Sequence, residues 1–173
     1  MVDARGDMRG SWSDRSVLVT GATGMIGSSV VTQLLGLDAN VVCLVLDADP
    51  RSELLRSGDI NRTSVVNGNL TDFWTVERAV NEHEVDTIIH LANVANDPAV
   101  ELNPTLSWEI NVLATQRLAD RAIRAGVRQF IYASSGSVYG VKSEDQVTED
   151  LPLVPISVYN KTKMVAERVL LSY

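Results

Sequence analysis

Cysteine is almost missing from this 173-residue sequence, and positive charge is scarce. The single Cys43 rules out an internal disulfide and any cysteine-based metal site, so no metal ligands are assigned. It stands in the apolar run 41–45 (VVCLV), which predicts a buried, inert thiol. Fifteen Lys and Arg against 22 Asp and Glu leave a net charge of −7, which argues against nucleic acid or an anionic membrane as a partner. No apolar run approaches the ~20 residues of a membrane span. Residues 1–15 carry Asp3, Arg5, Asp7, Arg9 and Asp14 with no apolar h-region, so no signal peptide is read there. Repeats, low-complexity tracts and linkers are also missing from residues 16–173. These absences leave a cytoplasmic protein with a flexible tail over residues 1–14 and one domain over 15–173. At 45% hydrophobic residues, that domain is able to bury a real core.

What is present is led by residues 20–27, TGATGMIG. They follow the apolar run 16–19 and precede the helix-like stretch 28–35. A strand feeding a glycine-rich turn that opens a helix is how α/β proteins hold a dinucleotide pyrophosphate: the helix start offers unpaired N–H groups and a partial positive charge. Gly21, Gly24 and Gly27 are spaced G-x-x-G-x-x-G, not G-x-G-x-x-G. Strand signals then alternate with helix signals. Strands are predicted over 16–20, 40–46, 63–67, 86–91 and 128–133, and helices over 25–35, 72–82, 103–125 and 158–171. The third helix begins at Pro104 and is ended by Gly126. The loop 47–61 holds at most a helical turn around 53–56. This alternation predicts βαβ units and a parallel sheet.

The second half carries the chemistry. The fifth strand runs into residues 133–140, ASSGSVYG, whose hydroxyls are expected at the carboxyl ends of the strands, where open parallel sheets bind ligands. Tyr159 and Lys163 stand four apart on a predicted helix and so project from one face. An ammonium near a phenol favours the phenolate, which makes Tyr159 a candidate general acid/base for the proton that accompanies hydride transfer. Ser135 is placed to donate a hydrogen bond to the same substrate oxygen.

The motifs TGATGMIG, GNLTD, HLAN, ASSGSVYG and YNKTK, in this order, resemble the extended short-chain dehydrogenase/reductase family, and within it the NAD-dependent nucleotide-sugar epimerase/dehydratase group. The resemblance implies a Rossmann-type doubly wound parallel sheet with helices on both faces. It implies that Gly21, Gly24, Met25, Ile26 and Gly27 line the pyrophosphate, that Asn69 and Leu70 sit against the adenine, and that Leu91 and Ala92 lie along the cofactor. Ser135, Tyr159 and Lys163 form the implied catalytic triad, with Tyr159 and Lys163 also touching the cofactor. His90 is expected to contribute mainly backbone at a strand end, not a catalytic imidazole. Asn69 departs from the family's usual Asp, and Asn93 from a usual alanine. An acidic residue closing the second strand normally bonds the adenosine ribose. Asp47, twenty residues past Gly27, fits that role and favours NAD over NADP. In the alternative register Val45 ends the strand, Asp47 lies in the loop, and Arg51 serves a 2′-phosphate.

Reaction type follows from two further positions. The group's 4,6-dehydratases carry an Asp-Glu pair just after the active-site hydroxyl, where this chain has Gly136 and Ser137. Neither titrates near neutral pH, so a 4-epimerase acting on a nucleotide-diphosphate sugar is expected. A dehydratase or keto-reductase of the same family, or a non-catalytic dinucleotide-binding module, are the alternatives. The resemblance also implies chains of about twice this length, so the C-terminal substrate domain is expected to be absent from residues 1–173, with little turnover by this chain alone. It implies a homodimer through the 103–125 and Tyr–Lys helices. The segment 93–103, with Asp97-Pro98, reads equally as a substrate contact or a surface loop.

Overall fold

A computed structural model describes residues 12–47, 49–95 and 97–173. Most of the expected tail, residues 1–11, lies outside the described residues. At its end, Trp12–Asp14 form a turn in which the Trp12 carbonyl accepts from the Arg15 N–H, and Trp12 packs on the core.

The elements in chain order are β1 (Ser16–Thr20), α1 (Met25–Gly36), β2 (Asn40–Val45), α2 (Glu53–Ser57), a 3-10 turn (Asp59–Arg62), β3 (Ser64–Asn67), α3 (Phe73–Asn81) and β4 (Thr87–His90). There follow α4 (Asp97–Leu102), α5 (Pro104–Trp108), a π-helical segment (Glu109–Ala114), α6 (Thr115–Arg124), β5 (Gln129–Tyr132), a 3-10 turn (Gly136–Tyr139) and α7 (Val158–Leu170). They group into two compact units, one of residues up to Ala92 with Asp120–Ile131, the other of Asn93–Ala119 with Tyr132–Tyr173.

The first unit is built on a parallel sheet in the order β3-β2-β1-β4-β5. Val17, Leu18 and Val19 of β1 pair in register with Val41, Val42 and Cys43 on one side and with Thr87, Ile88 and Ile89 on the other. Alternate residues serve different faces. Val17, Val19, Val41, Cys43, Val45 and Ile89 join Val31, Leu34 and Leu35 of α1 in one core. Leu18, Val42, Leu44 and Ile88 point the other way and are buried as well, as are Val76, Ala79 and Val80 of α3. Both faces are therefore covered, which is why these strands read as continuous apolar runs. Each fully buried Leu or Ile contributes about 1.5–3 kcal/mol. Burial pushes the Cys43 thiol up to about 11, against a lesser opposing pull from Thr63, so it is inert. Asp86 ties three strand starts together: it accepts from Ser16 N–H and Thr87 Oγ1, while Arg128 N–H donates to its carbonyl and the Arg128 guanidinium meets its carboxylate at 3.3 Å.

The strand order matters for function. Successive strands step outward from β1 to β3, and the chain then crosses to β4 on the other side of β1. Ligands of doubly wound sheets bind at the carboxyl ends of the strands at this switch point, and β1 delivers the glycine turn there.

The second unit is helical. Where one helix over 103–125 is expected, the structure has α5, a π-helical segment and α6. Asn103 caps its start, its side chain accepting from Leu106 N–H, and Gly126 ends it with φ +75°. The π segment centres on Asn111, whose buried amide accepts from Val94 N–H at 2.8 Å and donates to Val94 O and to Thr162 Oγ1, both at 3.1 Å. A further departure is α4, a short helix within the segment read as a loop. Ser157 caps α7, accepting from Asn160 N–H. No helix among the described residues is long and apolar enough to cross a membrane.

Candidate active site

Beyond Thr20 the chain turns at Gly21, with φ +69°, a region that L side chains rarely adopt. A Cβ there would lie 2.9 Å from Ala92 N. A Cβ on Gly27 would run into the Gly21 carbonyl oxygen, which is itself occupied by the Gly24 N–H at 3.1 Å. Gly24 then caps α1 in extended geometry without a side-chain hydrogen bond, and no acidic residue stands in the first turn. The cradle fits a pyrophosphate: the backbone of the turn is bare, and the helix start presents N–H groups and its positive dipole end. Met25, 87% exposed, and Ile26 stand out from the first turn.

The neighbouring strand end is pinned to this turn. Thr20 Oγ1 accepts from Leu91 N–H at 3.2 Å and Ala92 N–H at 3.1 Å, and lies 2.6 Å from His90 Nδ1. Through this short buried hydrogen bond between Thr20 Oγ1 and Nδ1, the imidazole acts as a clamp on the two strand ends. His90 thus contributes more than backbone, although in a structural capacity that strand patterning did not reveal.

The adenosine side is more open. β2 ends at Val45, so Asp47 lies exposed in the loop beyond it. Arg51 is exposed, but its guanidinium is paired with Asp49. Its Nε lies 3.1 Å from Asp49 Oδ1 and its Nη2 2.9 Å from Asp49 Oδ2, and its N–H donates to Oδ1 at 2.9 Å. These bonds hold the Asp49 carboxyl below its usual range and raise the guanidinium. Gly24, Ser28, Asp49 and Arg51 all border one cleft of about 480 Å³. Asn69 is exposed beside buried Leu70, and its Oδ1 accepts from Thr71 N–H at 3.0 Å. Its amide NH₂ therefore faces away from that turn as a donor.

In the second unit, Ser135 caps the 3-10 turn after β5. Its Oγ lies 2.7 Å from Ser137 Oγ, which in turn donates to Asn160 Oδ1 at 2.7 Å. Gly140, with φ +71°, lets the chain fold back, since a Cβ would meet the Val154 carbonyl oxygen. Ser134, Ser135, Tyr139, Glu149 and Glu167 line a cleft of about 520 Å³. Tyr159 and Lys163 sit one turn apart on α7. Lys163 is 2% exposed and its Nζ lies 4.2 Å from the Tyr132 ring centroid. Burial lowers its ammonium to about 8, and Glu167 pulls the other way. Among the described residues no hydrogen bond joins the Tyr159 phenol to Ser135 or Lys163.

The model of the NAD dependent epimerase/dehydratase family matches residues 17–173. The chain belongs to that family. The UDP-glucose 4-epimerase of Mycolicibacterium smegmatis is 34% identical over 163 residues, covering 90% of this chain and 50% of the relative. That of Azospirillum brasilense is 29% identical over 156 residues, covering 89% and 43%. Among solved structures, MoeE5 in complex with UDP-glucose and NAD matches with a TM-score of 0.76 and 34% identity over 91% of this chain and 48% of that one. The Thermus thermophilus UDP-glucose 4-epimerase complex with NAD gives 0.81 and 31%, over 91% and 50%. The chain spans about half the length of the curated relatives it matches.

Within this epimerase/dehydratase scaffold, Asn111 is the residue that sequence reasoning missed. It links the segment after β4, at Val94, to Thr162, which lies between Tyr159 and Lys163 and donates to the Tyr159 carbonyl at 2.7 Å. An asparagine inside an apolar helical stretch was the available signal, since a buried amide requires partners. π-helical interruptions concentrate at functional sites, and this one carries Asn111.

Proposed function

We propose that this protein is an NAD-dependent nucleotide-sugar 4-epimerase that uses Ser135, Tyr159 and Lys163 as its proton-handling set. The observation that carries the reading is the hydroxyl–phenol–ammonium series combined with Gly136 and Ser137, where a dehydratase would need titrating groups. Ser137 is hydrogen-bonded to Ser135 and Asn160 and supplies no acid. NAD would be held by the Gly21–Gly24–Gly27 turn, Met25, Ile26, Leu70, Leu91 and Ala92, and when bound supplies the hydride sink and source for the sugar C4. Tyr159 takes the proton of the sugar 4-hydroxyl as a ketone forms, and Ser135 donates a hydrogen bond to that oxygen. After the ketone has turned to present its other face, Tyr159 returns the proton to the re-formed hydroxyl. Lys163 supplies positive charge beside the phenolate. The similar proteins named above as UDP-glucose 4-epimerases, and MoeE5 with UDP-glucose, favour a UDP-hexose as substrate.

NAD is preferred to NADP on the ground of Asp49. A 2′-phosphate approaching Arg51 meets a guanidinium already bound by a carboxylate, and the added negative charge is opposed. Asp49→Asn is expected to raise NADP affinity severalfold and to leave NAD affinity unchanged, measured by calorimetric titration of both cofactors. Equal affinities in the wild type would overturn this preference. A homodimer through α5, α6 and α7 belongs to the same reading, checked by light scattering. The reaction itself is tested by incubating the intact protein with NAD and UDP-glucose: interconversion with UDP-galactose is expected, and net formation of reduced cofactor without it would favour a dehydrogenase or reductase of the same family.

A further inference from the structure

A buried ammonium is costly unless something compensates for its lost water, and in this unit one ring packs against the Lys163 ammonium while one carboxylate acts on it from beyond ion-pair distance. Tyr132, the last residue of β5, lays its ring 4.2 Å from Nζ. Glu167, one helical turn beyond Lys163, acts on it as a negative charge. That carboxylate is not loose, because Ser134 Oγ donates to Oε2 at 2.6 Å. Burial, reinforced by Tyr159 and Glu167, pushes the Tyr132 phenol well above its ordinary value, so its ring offers a neutral π face.

We propose that the Tyr132 ring and the Glu167 carboxylate, anchored by Ser134, are positioning residues that together seat the Lys163 ammonium one helical turn from Tyr159. The inference rests on the reading of Lys163 as part of the proton-handling set, yet it concerns the ammonium itself and is measured without turnover. The titratable groups acting around this seat are Tyr132, Tyr159 and Glu167. An aromatic face attracts a desolvated cation whether or not the ring carries a hydroxyl. Phenylalanine at position 132 therefore preserves the seat, and leucine fills the space without the π face.

The sequence has three lysines, Lys142, Lys161 and Lys163, so lysine labelled with ¹³C at Cε gives three resonances, with Lys163→Arg assigning the one that matters. In a pH titration by NMR the Lys163 midpoint is expected near 8 in the wild type and in Tyr132→Phe. It is expected to fall by about one pH unit in Tyr132→Leu and in Glu167→Gln, and by less in Ser134→Ala, with Lys142 and Lys161 unmoved. Should Tyr132→Leu fail to fold, Glu167→Gln and Ser134→Ala decide. A midpoint unchanged in Glu167→Gln, or lowered by phenylalanine as far as by leucine, overturns the seat. Absence of epimerase activity with these shifts intact would count against the proposed reaction and not against the seat.

Discussion

Gly27 in the β1–α1 turn and Gly36 at the end of α1 answer the same substitution differently. At Gly27 an added Cβ meets the Gly21 carbonyl oxygen, a backbone atom that cannot step aside. Gly27→Ala is therefore expected to cost about 1–3 kcal/mol in urea unfolding and to abolish measurable NAD binding. Gly36 ends α1 with open space where a Cβ would go, so Gly36→Ala is expected to be neutral or to gain up to ~1 kcal/mol with NAD affinity kept. NAD binding by Gly27→Ala equal to wild type would contradict the cradle. Asp86 gives a pH signature at the same scale. Burial pushes its carboxyl up, but bonds from Thr87 and Ser16 and the Arg128 guanidinium more than reverse this, leaving it below the ordinary range. A folded value below the unfolded one, ~3.9, means that its stabilisation is complete above that pH and is lost as pH falls through the folded value. Asp86→Asn should thus flatten the acid limb of the stability curve, measured by denaturation midpoints between pH 2 and 7.

At the scale of elements, the strands and helices that carry their own periodicity were legible in the sequence, and those that depend on distant partners were not. β1 is read to the residue because its apolar run ends at the glycine turn, and α3 falls within one residue of the predicted 72–82 at each end, with Asp72 capping it by accepting from Thr75 N–H. The π segment was illegible, since it is bound up with the hydrogen bond between Asn111 and Thr162, 51 residues apart. Nothing local distinguishes it from the α-helix on either side. α4 was equally obscure, as a six-residue helix leaves too short a pattern. The candidate site was legible in its residue types and spacing, while the Asp49–Arg51 pairing and the Thr20–His90 clamp emerged only from folded geometry. Asn111→Leu is expected to strand the polar groups of Val94 and Thr162, at about 1–3 kcal/mol for each left unsatisfied. Amide exchange should then quicken in the π segment and α7 before it does in β1. Uniform exchange behaviour in the variant would argue against a local staple. Ser157→Ala removes the α7 cap and is expected to cost about 1 kcal/mol in the same denaturation assay.

At the scale of the molecule, the sheet order and the family match give an NAD dependent epimerase/dehydratase scaffold, and the proposed reaction on it is epimerisation. Epimerisation, dehydration and reduction differ in the fate of the hydrogen at C4, and that difference gives the most direct test. The intact protein is supplied with NAD and UDP-glucose deuterated at C4, and the products are followed by NMR. UDP-galactose that keeps its deuterium at C4 is expected, with no net reduced cofactor, and a rate lowered by about 10²–10⁴-fold in Tyr159→Phe. Absence of UDP-galactose with NAD bound, loss of deuterium from C4, or an undiminished rate in Tyr159→Phe would contradict the proposed epimerisation.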